Sequence, residues 1–183
     1  LKSMLKIKLN STKPSTQAIA QATEVLKKGG LVICPTETVY IFAADSTNQE
    51  AIGKVYKIKS REAKKPMHVI VDSVFMARQY GKFSDAALKL AQKLWPGPIT
   101  LILEKLPDKL PDLLTGSLTT IGMRIPPTKF NTSLAKELGK PYTATSANKS
   151  GFPNTYSVDD VLGQLEQNNL SSIGLILDAG KLP

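Results

Sequence analysis

Cysteine occurs once, at Cys34, and histidine once, at His68. A single cysteine excludes an internal disulfide and a thiolate zinc site. A single histidine excludes a multi-histidine metal centre and confines imidazole catalysis to one position. Aromatic residues are only 6% of the chain, and no base-stacking platform such as an RNP motif is visible. Acidic residues are scarce: 15 stand against 24 Lys and Arg, a formal charge of +9. That balance favours an anionic partner such as a nucleotide, RNA or an acidic surface, and equally fits a solvated basic surface. No apolar run reaches the roughly 18 residues of a membrane-spanning helix. The N-terminus also lacks an apolar signal core, so a cytoplasmic protein is expected. A Ser/His/Asp set, a metal-ligand cluster, a P-loop and a dinucleotide glycine fingerprint are not evident either.

What is present is a globular composition, with 42% hydrophobic residues in 183, enough for one domain with a real core. A single domain over 1–183 is expected, with Leu1–Ser3 read as an appended remnant ahead of a natural start at Met4. The alternation of Leu5-Lys6-Ile7-Lys8-Leu9 predicts a half-buried strand. Thr16–Lys28 predicts a helix with Ile19, Ala22, Val25 and Leu26 on one face, stopped by Gly29-Gly30. Further strands are predicted at 31–34, 39–43, 67–71, 99–103, 120–125 and 173–177, and a buried strand is expected to end at Thr145. Further helices are predicted at 49–59, 84–94, around 134–138, and at 157–165. Helices and strands intermix, so the fold class is α/β, with a twisted, mixed or antiparallel sheet flanked by helices. No internal repeat or interdomain linker is visible.

Five segments carry candidate chemistry. Thr145-Ser146-Ala147-Asn148-Lys149-Ser150-Gly151 ends a strand in a polar turn, which suits either ligand binding or a capped loop. Pro35-Thr36-Glu37-Thr38-Val39-Tyr40 places two hydroxyls and a carboxylate after a buried strand. It reads either as a polar-ligand loop, with Glu37 orienting an ammonium or a metal-bound water, or as a Thr-capped turn. Lys57-Ile58-Lys59-Ser60-Arg61-Glu62-Ala63-Lys64-Lys65-Pro66 concentrates cations. If the helix ends near Lys59, Lys59 and Arg61 can converge on a phosphate; otherwise the run is a solvated helix end. Leu94-Trp95-Pro96-Gly97-Pro98-Ile99-Thr100 is a stiff corner. Arg124, inside the apolar strand 120–125, needs an anion from a protein carboxylate or from a ligand. His68 reads as a core or edge residue of its strand.

Together these segments resemble the YrdC-like family, the threonylcarbamoyl-AMP synthases. The matching pieces are Pro35-Thr36-Glu37-Thr38-Val39-Tyr40, Lys59-Ser60-Arg61, Pro96-Gly97-Pro98-Ile99-Thr100, Arg124-Ile125-Pro126 and Ser146-Ala147-Asn148-Lys149-Ser150-Gly151, in the family's order. The resemblance implies a sheet around a basic central cavity. It also implies a nucleotidyltransferase that makes threonylcarbamoyl-AMP and pyrophosphate from L-threonine, bicarbonate and ATP. The product feeds the N6-threonylcarbamoyladenosine modification of tRNA, completed by partner transfer proteins, with tRNA or double-stranded RNA as a further contact. By the same resemblance Lys59, Arg61, Ser146 and Asn148 surround ATP, with Lys57, Thr120 and Asn154 as further nucleotide-side candidates. Lys59 and Arg61 stabilise the charge on the α-phosphate, and Mg2+ bridges the departing pyrophosphate. Thr36 or Thr38, together with Arg124, serve threonine.

Two departures from the pattern carry expectations. Ile41-Phe42-Ala43 stands where the family has Gly-Leu-Gly, which predicts a narrower or differently shaped cavity. The chain also reaches Pro183 without the family's following Ser-Thr-containing strand, so part of the threonine or nucleotide site is expected to be missing. Two other readings are a non-catalytic RNA-binding module and a degenerate paralogue that binds nucleotide without turnover.

Overall fold

A computed structural model describes residues 4–62 and 65–183; Leu1–Ser3, and Ala63 and Lys64 of the basic run, lie outside the described residues. In chain order the elements are β1 (Leu5–Lys8), α1 (Thr16–Lys27), β2 (Leu31–Pro35), β3 (Tyr40–Ala43), α2 (Gln49–Lys59), β4 (His68–Ile70), α3 (Val74–Ala77), β5 (Gly81–Lys82) and α4 (Asp85–Leu94). They continue with β6 (Leu101–Lys105), α5 (Asp112–Thr115), β7 (Thr120–Arg124), α6 (Lys129–Leu138), β8 (Tyr142–Ser146), α7 (Val158–Gln164), a 3-10 segment (Gln167–Ser172) and β9 (Ile173–Asp178).

The described strands form one sheet in the order β1-β9-β2-β3-β8-β4-β7-β6-β5. β9 runs parallel to both β1 and β2, and β4 runs parallel to β7; the other neighbours are antiparallel. The expected α/β class with a mixed sheet is therefore the observed one. α1 packs on β2, β9 and α6, burying the Ala18, Ala22 and Leu26 stripe. Its start is capped by Ser15 Oγ accepting from Ala18 N at 3.1 Å. Its end is turned by Gly29 at φ +71, a left-handed value that favours glycine.

Strand β6 begins two residues later than its apolar run predicts. The corner before it is held by its own bonds: Trp95 Nε1 donates to Ile99 O at 2.8 Å, and Gly97 N donates to Ile125 O at 2.9 Å. Those contacts keep Ile99 out of the ladder.

Across β7, β4 and β8, register places Arg124, Ile70 and Tyr142 in one row, then Gly122, His68 and Ala144 in the next. Thr120 and Ser146 follow one step further on the same face. The alternate residues Ile121, Met123, Val69, Thr143 and Thr145 are buried on the other face. Thr120, Arg124, Ala144 and Ser146 keep partial exposure, and His68 is exposed. This face is thus partly open at Thr120, His68 and Ser146, and of the predicted site residues Thr120, Arg124 and Ser146 stand on it.

Candidate active site

α2 ends at Lys59 because Ser60 takes a left-handed turn at φ 48 and ψ 43. Arg61 N closes that turn by donating to Tyr56 O at 3.0 Å. The turn separates the two cations. Lys59 is 2% exposed. Its Nζ donates to Ser146 O, to Asn148 O at 2.8 Å and to Asn148 Oδ1 at 3.0 Å, with the Phe42 ring centre 5.8 Å away. Ser146 Oγ donates to the same Asn148 Oδ1 at 2.6 Å, and Ser150 N donates to Lys59 O at 2.8 Å. The polar turn after β8 is therefore pinned to the end of α2 through one ammonium. Arg61 is the more open cation. Its Nη2 donates to Pro66 O at 2.8 Å and its Nη1 to Thr145 Oγ1 at 3.5 Å. Its Nε is buried with no partner among the described residues.

Every acceptor around Lys59 is neutral. Burial, and then the positive charge of Arg61, push its pKa down from 10.5 to about 7. Between those values the folded protein holds fewer protons than the unfolded chain, so raising the pH through that window stabilises the fold. We expect wild type to gain thermal stability over Lys59→Met as pH rises from about 7 to about 10.5. Parallel melting profiles for the two proteins would show that Lys59 is not held with a depressed pKa.

The second cluster grows from the β2–β3 turn. Thr36 is 5% exposed and spends its hydroxyl on the turn: Oγ1 donates to Val39 O at 2.8 Å and accepts from Thr38 N at 3.2 Å and Val39 N at 3.1 Å. Thr38 is exposed, so the outward hydroxyl of the pair is Thr38. Glu37 pairs with Arg124, with side chains only 19% and 16% exposed. Apart from that pair, both Glu37 carboxylate oxygens and Arg124 Nε and Nη2 lack partners among the described residues. Asn131 of α6 fixes the base of this cluster, donating to Pro35 O at 3.2 Å and to Tyr142 Oη at 3.1 Å. Tyr40 fixes its rear: Tyr40 O accepts from Ala147 N at 2.8 Å and Tyr40 N donates to Thr155 O at 3.1 Å.

Between the clusters lies His68, whose ring covers Gly122. A Cβ at Gly122 would meet His68 Cδ2 at 2.5 Å, which explains a glycine inside this strand. Desolvation of the ring where it packs over Gly122, and then the Arg61 charge, lower the His68 pKa, favouring the neutral ring. The core-or-edge reading of His68 gave it no place on this face. Gly122 in an otherwise bulky strand was the signal that another group comes close.

The remaining nucleotide-side candidates divide. Thr120 is half-buried on the open face. Asn154 sits exposed in the loop after Asn148. Lys57 does not join the cluster. It lies two residues before Lys59, a rotation of about 200° on a helix, so it is exposed on the far side of α2 and borders a different cavity. Ile41 stands opposite Ser146 in the ladder and is 4% exposed, filling the space beside that residue. Among the described residues no group of three or more His, Cys, Asp or Glu is placed to hold a metal ion. No helix among them is long and apolar enough to cross a membrane.

The Sua5/YciO/YrdC family profile, described as "Telomere recombination", matches residues 24–183. The chain belongs to the Sua5/YciO/YrdC family. A putative threonylcarbamoyl-AMP synthase from Methanocaldococcus jannaschii is 37% identical over 163 residues, covering 86% of this chain and 73% of the relative. A Bacillus subtilis threonylcarbamoyl-AMP synthase is 36% identical over 88% of this chain and 46% of its own. The crystal structure of Pyrococcus abyssi Sua5 complexed with L-threonine superposes with a TM-score of 0.87 at 29% identity, covering 98% of this chain and 51% of Sua5. The chain thus spans about half the length of these last two members of the Sua5/YciO/YrdC family.

Proposed function

We propose that this chain forms threonylcarbamoyl-AMP and pyrophosphate from L-threonine, bicarbonate and ATP, acting as an adenylate-forming nucleotidyltransferase. The observation that carries the proposal is the presence of two unlike charge clusters along β8 and its neighbours: Arg124 with Glu37 at one end, and Arg61 and Lys59 gathered at the other, where Ser146 and Asn148 stand. Four residues of rise separate Arg124 from the Thr120 and Ser146 level, roughly 13 Å. That distance seats an amino acid at one end and a triphosphate at the other.

A zwitterion matches the Arg124–Glu37 pair, with the carboxylate on the unpartnered Nε edge of Arg124 and the ammonium facing Glu37. Thr38 and His68 flank that position. A neutral imidazole there accepts a proton from the threonine ammonium; the freed amine adds to CO2, which bicarbonate supplies with loss of hydroxide, and the second amine proton goes to that hydroxide, leaving the carbamate and water. The carbamate oxygen then attacks the α-phosphate. Arg61 supplies charge to the phosphoryl oxygens, while Lys59, Ser146 and Asn148 hold the turn that shapes the phosphate end. Positioning and charge stabilisation suffice for this chemistry, so no protein nucleophile is required. Glu37 is already paired and among the described residues no carboxylate cluster is at hand, so Mg2+ arrives with the triphosphate as part of the substrate. The role in tRNA threonylcarbamoyladenosine modification, a cytoplasmic location, contact with tRNA and hand-over to transfer proteins belong to the same proposal. The +9 charge supports an RNA-facing surface.

The test is incubation with 13C-bicarbonate, L-threonine and Mg-ATP followed by mass spectrometry. The expected product is a threonine–AMP adduct heavier by the one labelled carbon. AMP and pyrophosphate formed without that adduct would contradict the proposal.

A further inference from the structure

We propose that Asn131 is a positioning residue for the reaction: its amide sets the spacing of Glu37 and Arg124, and with it the fit of the amino acid substrate between them. The inference rests on the reading of that pair as the threonine end. Asn131 is fully buried, on the face of α6 that also buries Phe130, Leu134, Ala135 and Leu138. An apolar side chain would serve packing there, and a buried amide is costly unless its hydrogen-bonding groups are met. Here each is met. Nδ2 donates to Pro35 O at 3.2 Å and to Tyr142 Oη at 3.1 Å, and Oδ1 accepts from Thr128 Oγ1. Tyr142 Oη donates in turn to Asn131 O at 3.1 Å. Pro35 O can only accept, so the nitrogen side of the amide must face it.

Two features tie this amide to the site and not to the core alone. Thr128 is the N-cap of α6, yet among the described residues it makes no side-chain capping bond. An N-cap threonine ordinarily accepts from the helix backbone; here its hydroxyl orients Asn131 instead. The second feature is where the donors go. Pro35 ends β2 two residues before Glu37, and Thr36 Oγ1 closes the turn between them, donating to Val39 O at 2.8 Å and accepting from Val39 N at 3.1 Å. Tyr142 stands in one row with Ile70 and Arg124, and Tyr142 and Ile70 are both buried. β3, β8 and β4 lie between β2 and β7 in the sheet, so the ladder links Glu37 to Arg124 only through those intervening strands. The Asn131 amide joins the end of β2 directly to β8, and that shortcut restrains both halves of the pair. Two long side chains tolerate slack; productive binding does not, since a displacement of about 1 Å can cost roughly a hundredfold.

The experiment is 15N NMR of Asn131→Asp and Thr128→Val against wild type, first without ligand and then titrated separately with L-threonine and with ATP. Asn131→Asp keeps the acceptor for Thr128 and replaces the donor that faces Pro35 O. Thr128→Val leaves that donor and removes what orients it. The expected result, at a temperature where each protein is folded, is displaced Thr38 amide and Arg124 Nε–H signals without ligand. L-threonine is then expected to bind about tenfold or more weakly to Asn131→Asp, and to weaken by a smaller factor in Thr128→Val. ATP is expected to shift Ser146 and Asn148 with wild-type affinity in both. The inference is overturned if the folded variants bind L-threonine like wild type, or if threonine and ATP weaken together, as a general loosening of the fold would produce. If Asn131→Asp does not fold, Thr128→Val decides by the same readings. A wild type that takes up no threonine would overturn the threonine-end reading. The hold of Asn131 on the pair would then be upheld by displaced ligand-free signals of Thr38 and Arg124, and overturned by unchanged ones.

Discussion

Arg61→Ala is expected to lower threonine-dependent pyrophosphate release by about 100- to 1,000-fold, the usual effect of removing a group that stabilises charge in the transition state. Arg61 is the cation best placed for this. Its Nε has no partner among the described residues, whereas the three donors of Lys59 are taken up by the turn at Ser146 and Asn148. The two cations therefore separate experimentally. Arg61→Ala keeps the Lys59 contacts and is expected to melt close to wild type while losing turnover. Lys59→Ala removes the ammonium that ties α2 to the turn, and is expected to lose both thermal stability and turnover. Arg61→Lys restores charge without the planar fork and is expected to recover only part of the rate. Wild-type kinetics in a folded Arg61→Ala protein would remove Arg61 from the mechanism.

Arg124→Ala is expected to raise the threonine concentration needed for half-maximal rate by about 100-fold and to move the ATP requirement by less than about threefold, because the interaction proposed to be lost belongs to one substrate. The substitution leaves Glu37 buried without its partner, which by itself destabilises the fold. The control is Glu37→Gln with Arg124→Ala, in which no unpaired carboxylate remains. If the threonine requirement stays raised in that double variant, Arg124 acts on threonine and not through Glu37. Equal increases for both substrates, in either protein, would assign the pair a structural role.

Much of this frame is legible from residues alone, and the reasons for the remainder are physical. α1 and α2 announce themselves through apolar periodicity and stop signals, and both end where Gly29 and Ser60 turn left-handed. The separation of Lys57 from Lys59 also follows from helix geometry, although the resemblance grouped the two. The short elements α3, β5 and α5 leave no signal in the sequence, because two to four residues carry no period. The late start of β6 depends on bonds from Trp95 and Gly97 that an apolar run does not reveal. Partners distant in sequence were the least accessible. The strand 120–125 shows that Arg124 needs an anion, and only the fold shows that Glu37 provides it. In the same way, the Pro35-Thr36-Glu37-Thr38 segment does not show which threonine closes the turn and which faces outward.

The reaction is tested most directly by pyrophosphate release from Mg-ATP, measured with and without L-threonine in bicarbonate-saturated buffer. Release that requires both threonine and bicarbonate, and that disappears in Arg61→Ala, is the predicted result. Release indifferent to threonine, or none from a folded chain whose Ser146 and Gly122 resonances do not respond to ATP, would contradict the assignment of this face as the synthase site.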